Sequence, residues 1–424
     1  MKLNYKRTVL IGLAFMSICA FWQLYDNTVQ LMLKNTFGLG ETYIGMIMAA
    51  DNVLALFLLP LFGSLSDRTK TKIGRRMPYI LAGTAAATLS MVFIPVANTS
   101  KSLVLYFIVL FVVLISMATY RSPAVALMPD LTPNVLRSKA NAIINLMGTL
   151  GGIVTLVMTM VLKPSESGTY FPLYLASAIF MAAAVAALFF TVKEKKIAQE
   201  VGVYDVDETV QEKKSEAPMS KEVKRSLIFL LLSIIFWFFA YNAVTSTFSR
   251  YTQEVWGDTS DSYSQYLMTA TVIATLAFFP IGMLSSKLGR KKVILGGIVL
   301  MGAAFATGLA FDSVTPLANV MFGCVGIGWA AINVNSYPMV VEMSKGSDVG
   351  KFTGIYYTSS MAAQILTPVL SGAIIEHTAW GYKILFPYAA LFSALAFVTM
   401  LFVRHGDTKP PKAKSKLEYL ETND

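Results

Sequence analysis

The chain reads as an all-α membrane protein, with twelve transmembrane helices arranged as two pseudo-symmetric six-helix bundles. Three observations predict that class. Apolar stretches of about 20 residues or more recur along the chain, each long enough to cross a hydrocarbon core of ~30 Å. Only 14% of residues are charged and the mean hydropathy is +0.58, whereas soluble domains carry roughly 25% charge. A charged strip that follows the second stretch returns in degenerate form after the eighth. A soluble helical bundle would need polar faces on most of its helices, and they are missing.

The stretches follow one another in order along the 424 residues. The first, near 8–33, sits behind a basic start (Lys2, Lys6, Arg7) and so mimics a secretory leader. It outruns leader length and eleven more follow, so it is read as the first span. The second, near 43–65, runs into the strip from Gly63 to Pro78, which carries Asp67, Arg68, Lys70, Lys72, Gly74, Arg75 and Arg76. Stretches near 78–97, 102–128, 140–162 and 170–192 complete a bundle over 1–193. Residues 194–224 mix acids and bases without apolar periodicity and read as a cytoplasmic linker, helical in part. A second bundle over 225–404 holds stretches near 225–250, 263–286, 293–311, 315–343, 352–375 and 382–403, and residues 405–424 form a tail.

The halves answer each other. Pro60 and Gly63 near the end of the second span match Pro280 and Gly282 near the end of the eighth, and Pro123 matches Pro338. The strip's Gly74-Arg75 step recurs as Gly289-Arg290. Proline in a membrane helix removes a backbone bond and bends the helix. Bends at matched sites suit a carrier whose halves rock about a midplane site. Gly148, Gly151 and Gly152, and Gly323, Gly326 and Gly328, read as close-packing faces.

The formal net charge is +10, but its placement argues against nucleic acid. Lys and Arg gather in the amino-terminal tail, the strip, the fourth connection (Arg137, Lys139), the linker, the eighth connection (Lys287, Arg290, Lys291, Lys292) and the carboxy tail. The alternate connections hold few, such as Lys34, Lys101 and Lys163. That bias places both termini in the cytoplasm of a multi-pass cell-membrane protein in contact with the lipid bilayer. Cys19 and Cys324 lie in apolar segments and form neither a disulfide framework nor a metal site. No nucleophile–base constellation, metal-ligand cluster or ATP-binding glycine loop accompanies the spans, so neither an enzyme nor a cofactor is expected.

Charge inside a span is costly and asks for a partner, a watery cavity or a function. Away from helix ends the spans hold two carboxylates, Asp26 and Asp51, which residue counting places at similar depth in the outer half. The histidines stand at a helix end (His377) and in the tail (His405), so a proton-coupled carrier would have to hold its proton on Asp26 or Asp51. The alternative is a static carboxylate satisfied by neighbouring hydroxyls or amides. Gln23, Asp26 and Gln30 share one helical face, with Trp22 and Asn27 beside them. Amides with an aromatic ring are what a sugar requires, hydrogen bonds for its hydroxyls and a flat apolar surface for its C–H face. Asn141 and Asn145 add a second stripe, and Tyr241, Asn242, Asn333, Asn335, Tyr337, Tyr356, Tyr357 and Gln364 are candidates in the second half. Arg121 lies in the fourth span, deeper toward the inside than Asp51 by about 10 Å. A direct pair between them is not expected; Arg121 either orients substrate, joins a charge network, or snorkels to the interface. Arg250, near the outer end of the seventh span, reads as interfacial.

The strip Asp67-Arg68…Gly74-Arg75-Arg76-Met77-Pro78 with Asp130 resembles the major facilitator superfamily. More narrowly it is similar to the sugar:cation symporters of the sucrose/maltose type and the related glycoside–pentoside–hexuronide group, as is the segment from Arg121 to Asp130 with Arg137 to Asn141 after it. The resemblance implies twelve helices, alternating access, and a strip (Gly63, Asp67, Arg68, Gly74, Arg75, Arg76, Asp130, with Gly289 and Arg290 in the repeat) that locks the cytoplasmic side while the site faces outward. Melibiose-type members carry paired acids in the inner part of the second helix. Here Asp51 stands above Ala55 and Leu59, so protons rather than sodium are the expected coupling ion. The expectation is a monomeric proton-coupled symporter of a sugar or glycoside; an exporter of drug-like solutes and a transport-silent nutrient sensor are the alternatives.

Overall fold

The computed structural model describes residues 3–133, 136–201, 220–343 and 349–407. Among these residues the secondary structure is helical, and twelve helices are long and apolar enough to span a membrane. The first half holds α1 (Tyr5–Asn35), α2 (Glu41–Arg68), α3 (Met77–Met91) continued by α4 (Phe93–Thr99), α5 (Leu103–Asp130), α6 (Arg137–Leu162), the single turn α7 (Pro164–Ser167), α8 (Phe171–Thr191) and the short α9 (Glu194–Val201). The second half holds α10 (Lys221–Trp256), α11 (Tyr263–Leu288), α12 (Arg290–Thr307), α13 (Leu317–Glu342), α14 (Val349–His377) and α15 (Leu385–Leu401). Part of the expected linker is therefore helix: Glu194–Val201 before, and Lys221 onward after, residues that lie outside the described set. Most of the expected tail, 408–424, also lies outside it.

Packing follows the repeat. In the first half α1 lies along α6 and α3 against α5; in the second α10 lies along α14 and α12 against α13. The two halves meet by a matched exchange, α2 against α14 and α11 against α6. Glycine permits the closest approaches. A Cβ on Gly151 would stand 2.0 Å from the Met16 carbonyl oxygen, and one on Gly326 would stand 2.3 Å from that of Ala270. Gly152 is different, with Gln23 Oε1 as its nearest neighbour at 3.5 Å, so it faces a side chain rather than sealing a helix contact. Pro60, Pro123, Pro280 and Pro338 all lie inside helices, as the repeat demands.

Burial along the exchanged helices is uneven. In α2 the buried positions run from Glu41 to Ala55 and then stop until Ser66; in α11 they concentrate between Tyr263 and Ala274. Phe57 and Leu61 are exposed in the bare part of α2, and Phe279 in that of α11. The halves are therefore pressed together at the face away from the chain termini and splayed toward the terminal face.

Candidate functional site

A cavity of about 390 Å³ lies between the halves. From α1 it receives Trp22, Gln23, Asp26, Asn27 and Gln30; from α2, Met48, Asp51 and Asn52; from α5, Arg121. The second half adds Tyr241, Asn242, Thr245 and Ser246 from α10, Leu267, Ala270 and Thr271 from α11, and Gln364 and Pro368 from α14. The two intramembrane carboxylates and Arg121 thus face one chamber. Arg121 does not snorkel; its guanidinium lies 5.1 Å from the Trp22 ring, a cation–π contact. Among the described residues it makes no ion pair with Asp26 or Asp51, in keeping with their expected separation along the membrane normal.

Several lining groups are held by their own helices. Asn27 Nδ2 donates to the Gln23 carbonyl at 2.8 Å, Gln30 Nε2 to that of Asp26 at 2.8 Å, and Asn52 Nδ2 to Asp51 Oδ1 at 2.8 Å. What stays unpartnered is instructive: the Trp22 indole N–H, the Asn242 amide nitrogen and Asn27 Oδ1 are buried without hydrogen-bond partners. A buried polar atom left unsatisfied costs free energy. The residues that carry these three atoms all line the chamber. On the second-half wall the Tyr241 ring stacks on Trp329 at 3.8 Å and 6°, which fixes its plane.

Ten of the residues singled out from sequence line this chamber; seven do not. Asn335 is buried with its amide bonded at 2.8 Å to the Ala331 carbonyl of its own helix, so it acts within α13. Tyr337 bonds Thr353 at 3.0 Å, and Tyr357 packs beside it. Asn141, Asn145, Asn333 and Tyr357 are exposed and lie outside the chamber lining. The hydroxyls of Thr245, Ser246 and Thr271 were missed. Each donates to the carbonyl four residues earlier, as any membrane-helix Ser or Thr does. Their signal was position, since Thr245 and Ser246 stand one turn beyond Tyr241 and Asn242.

At the far face the chamber is sealed. Glu41 and Arg250, 3% and 4% exposed, pair across the halves. The Tyr382 hydroxyl donates to the same carboxylate and Lys34 Nζ lies 3.2 Å from it. Arg250 is therefore not an interfacial residue: it is buried because its partner is. Around this pair Asn35 donates to Gln253 at 2.8 Å, the Thr42 N–H to Glu376 at 2.8 Å, and Ser165 to Asp261 through its N–H at 2.8 Å and its hydroxyl at 2.6 Å. The backbones come close as well; a Cβ on Gly45 would stand 2.1 Å from the Pro368 carbonyl oxygen.

The terminal face carries the charged strip. Arg76 reaches Asp67, Asp130 Oδ2 at 2.8 Å, Ser66 Oγ at 2.5 Å and the Gly63 carbonyl at 3.2 Å, while Arg75 meets Asp130 at 2.8 Å. Arg68 is exposed. Glu194, expected in a linker, instead receives the N–H groups of Arg75, Arg76 and Met77 at 2.8–3.0 Å and caps α3. Gly74 makes room for it: φ is +127° and a Cβ there would stand 2.2 Å from Glu194 Oε2. The repeat does the same. Asp407 receives the Arg290 N–H at 2.7 Å behind Gly289 (φ +90°), and Arg290 pairs with Glu342. The bonds named here each stay within one half and brace that bundle.

A family model described as MFS/sugar transport protein matches residues 10–343. The chain belongs to that family. Among curated proteins, the chloramphenicol resistance protein CraA of Acinetobacter baumannii is 27% identical over 185 residues, covering 41% of this chain and 42% of that protein. The lysophospholipid transporter LplT of Yersinia enterocolitica is 26% identical over 198 residues, covering 45% and 47%. The chain thus matches less than half the length of these relatives. Among solved structures, the inward-open xylose transporter XylE of E. coli superposes with a TM-score of 0.68 at 15% identity, covering 98% of both chains. The nucleoside transporter NupG gives 0.65 at 19%, covering 95% and 100%. At such identities the likeness establishes the fold, that of the major facilitator superfamily.

Proposed function

We propose that this protein is a proton-coupled symporter that carries a sugar or glycoside by alternating access. The observation that carries the reading is the chamber itself: both halves wall it, and its lining gathers the two intramembrane carboxylates, one guanidinium, and amide and indole side chains. Hydroxyls of a sugar would meet the amide side chains of the lining, Gln23, Asn27, Asn242 and Gln364 among them, and its C–H face the Trp22 or Tyr241 ring. A carboxylate that shares the chamber with cargo can exchange its proton only when that chamber is open to one side. Asp26 and Asp51 are the proposed coupling acids.

The excess of Lys and Arg on the terminal face supports reading that face as cytoplasmic. On this reading the conformation faces inward, with the Glu41–Arg250 contacts closing the outside. The narrower kinship, to symporters of the sucrose/maltose type, accords with the strip and with the description of the matching family. Proteoliposomes test the proposal: an inwardly directed proton gradient should drive accumulation of one labelled sugar or glycoside. No accumulation of any member of a broad sugar panel, with intact protein, would refute it.

The names of CraA and LplT favour a second reading, proton-driven movement of a drug-like or amphiphilic solute. The chamber speaks against it, since an acyl chain or a nitroaryl ring needs apolar walls and these are crowded with charge and amide. Dye or chloramphenicol efflux from cells expressing the protein separates the two.

A further inference from the structure

A second cavity, of about 440 Å³, opens at the terminal face where α8 ends and α9 begins. Its rim carries four ammonium groups, Lys72, Lys193, Lys195 and Lys196, and among the described residues none has an ion-pair partner. Among the described residues the acids nearby are engaged elsewhere: Glu194 turns inward to cap α3, Asp130 holds Arg75 and Arg76, and Glu200 faces Arg7 at 3.8 Å. Like charges so gathered repel unless an anion joins them.

The level of this groove decides which anion. Thr191 ends a membrane span and Met77 begins another, so the rim sits where lipid headgroups lie. Beside the lysines stand Ile73 and Phe190, 40% and 76% exposed. A soluble phosphate would satisfy the ammonium groups and leave these side chains bare, whereas a phospholipid offers a charged headgroup and an acyl chain together. α9 has the matching build: Ala198 is buried and Ile197 packs on the core, while Lys195, Lys196 and Gln199 face outward, as in a helix lying along a membrane surface.

We propose that this groove binds an anionic phospholipid of the leaflet on the terminal side, its phosphate held by Lys72, Lys193, Lys195 and Lys196 and an acyl chain laid against Phe190. The site is separate from the transport chamber, and its test requires no transport. Native mass spectrometry of the full-length protein in detergent, titrated with phosphatidylglycerol or phosphatidylcholine, reads it directly. Wild type should retain phosphatidylglycerol at least about tenfold better than phosphatidylcholine, as expected for several basic side chains acting on one anionic headgroup. Replacing the four lysines by Gln should abolish that preference, and replacing them by Arg should restore it. K195Q/K196Q, less disruptive to folding, should lose part of it, while K287Q/K292Q in the other half should lose none. Glycerol 3-phosphate at millimolar concentration should not displace the lipid. Equal retention of the two lipids, full retention by the four-Gln variant, or displacement by glycerol 3-phosphate would each overturn the proposal.

Discussion

Replacing Arg250 by Met should open the far face. The guanidinium and the Glu41 carboxylate are 4% and 3% exposed, so removing one leaves the other buried without its main partner. Breaking a buried pair in that way costs about 3 kcal/mol or more, which is roughly a 100-fold change in an equilibrium constant. The cost falls on the conformation in which Glu41 is buried, because opening the far face returns the carboxylate to water. Tyr382 and Lys34 still reach Glu41 and limit what is lost. The assay is far-side labelling by a membrane-impermeant maleimide of Gln364→Cys, in a background where Cys19 and Cys324 are Ser. Single R250M should label at least tenfold faster than its parent. The double variant E41Q/R250M, which removes both charges, should return most of the way, since an apolar or neutral replacement of a buried pair is often close to neutral. Unchanged labelling in R250M would refute the reasoning, and so would equal labelling in the single and double variants.

Other consequences follow from the same geometry. Gly74→Ala places a Cβ against Glu194 and demands a left-handed backbone, so α3 should lose its cap and the protein about 2–4 kcal/mol, read as a lower thermal midpoint in detergent. Asp51→Asn and Asp26→Asn should each abolish uphill accumulation in proteoliposomes, and at least one should retain downhill exchange; full accumulation by both would exclude them as coupling acids. Asp261, in the loop before α11, has its carboxyl pushed up to about 6 by burial, against the opposing pull of the Ser165 bonds. Its folded value therefore exceeds the unfolded one, so its contribution favours the folded state at low pH and is lost as pH rises from about 4 through about 6. Asp261→Asn should flatten thermal stability across that window, measured by unfolding scans in buffers from pH 4 to 7.

The fold was legible because hydropathy is a one-dimensional property: a span announces itself by length and by the charge that bounds it. The first wall of the chamber was legible for a related reason, since Trp22 to Gln30 repeat at helical spacing on a single helix. Arg121 was harder. Counting along the helices separates it from Asp51, and no such count shows that one chamber extends between them. Glu41 and Arg250 each look like ordinary residues at a helix end, and only the docking of two halves, with the partners 209 positions apart in sequence, reveals the pair. Asn335 misled because composition cannot tell an amide turned toward a cavity from one bonded to its own turn. Glu194 and Asp407 were opaque because their targets are backbone N–H groups, which every residue but proline supplies.

The placement of Asp407 bears on how this protein can be handled. Its carboxylate lies beyond the last span, yet it seats the first turn of α12, more than a hundred positions upstream. Truncation just ahead of it should loosen a membrane helix from its start, so a residue beyond the final span still serves the second bundle.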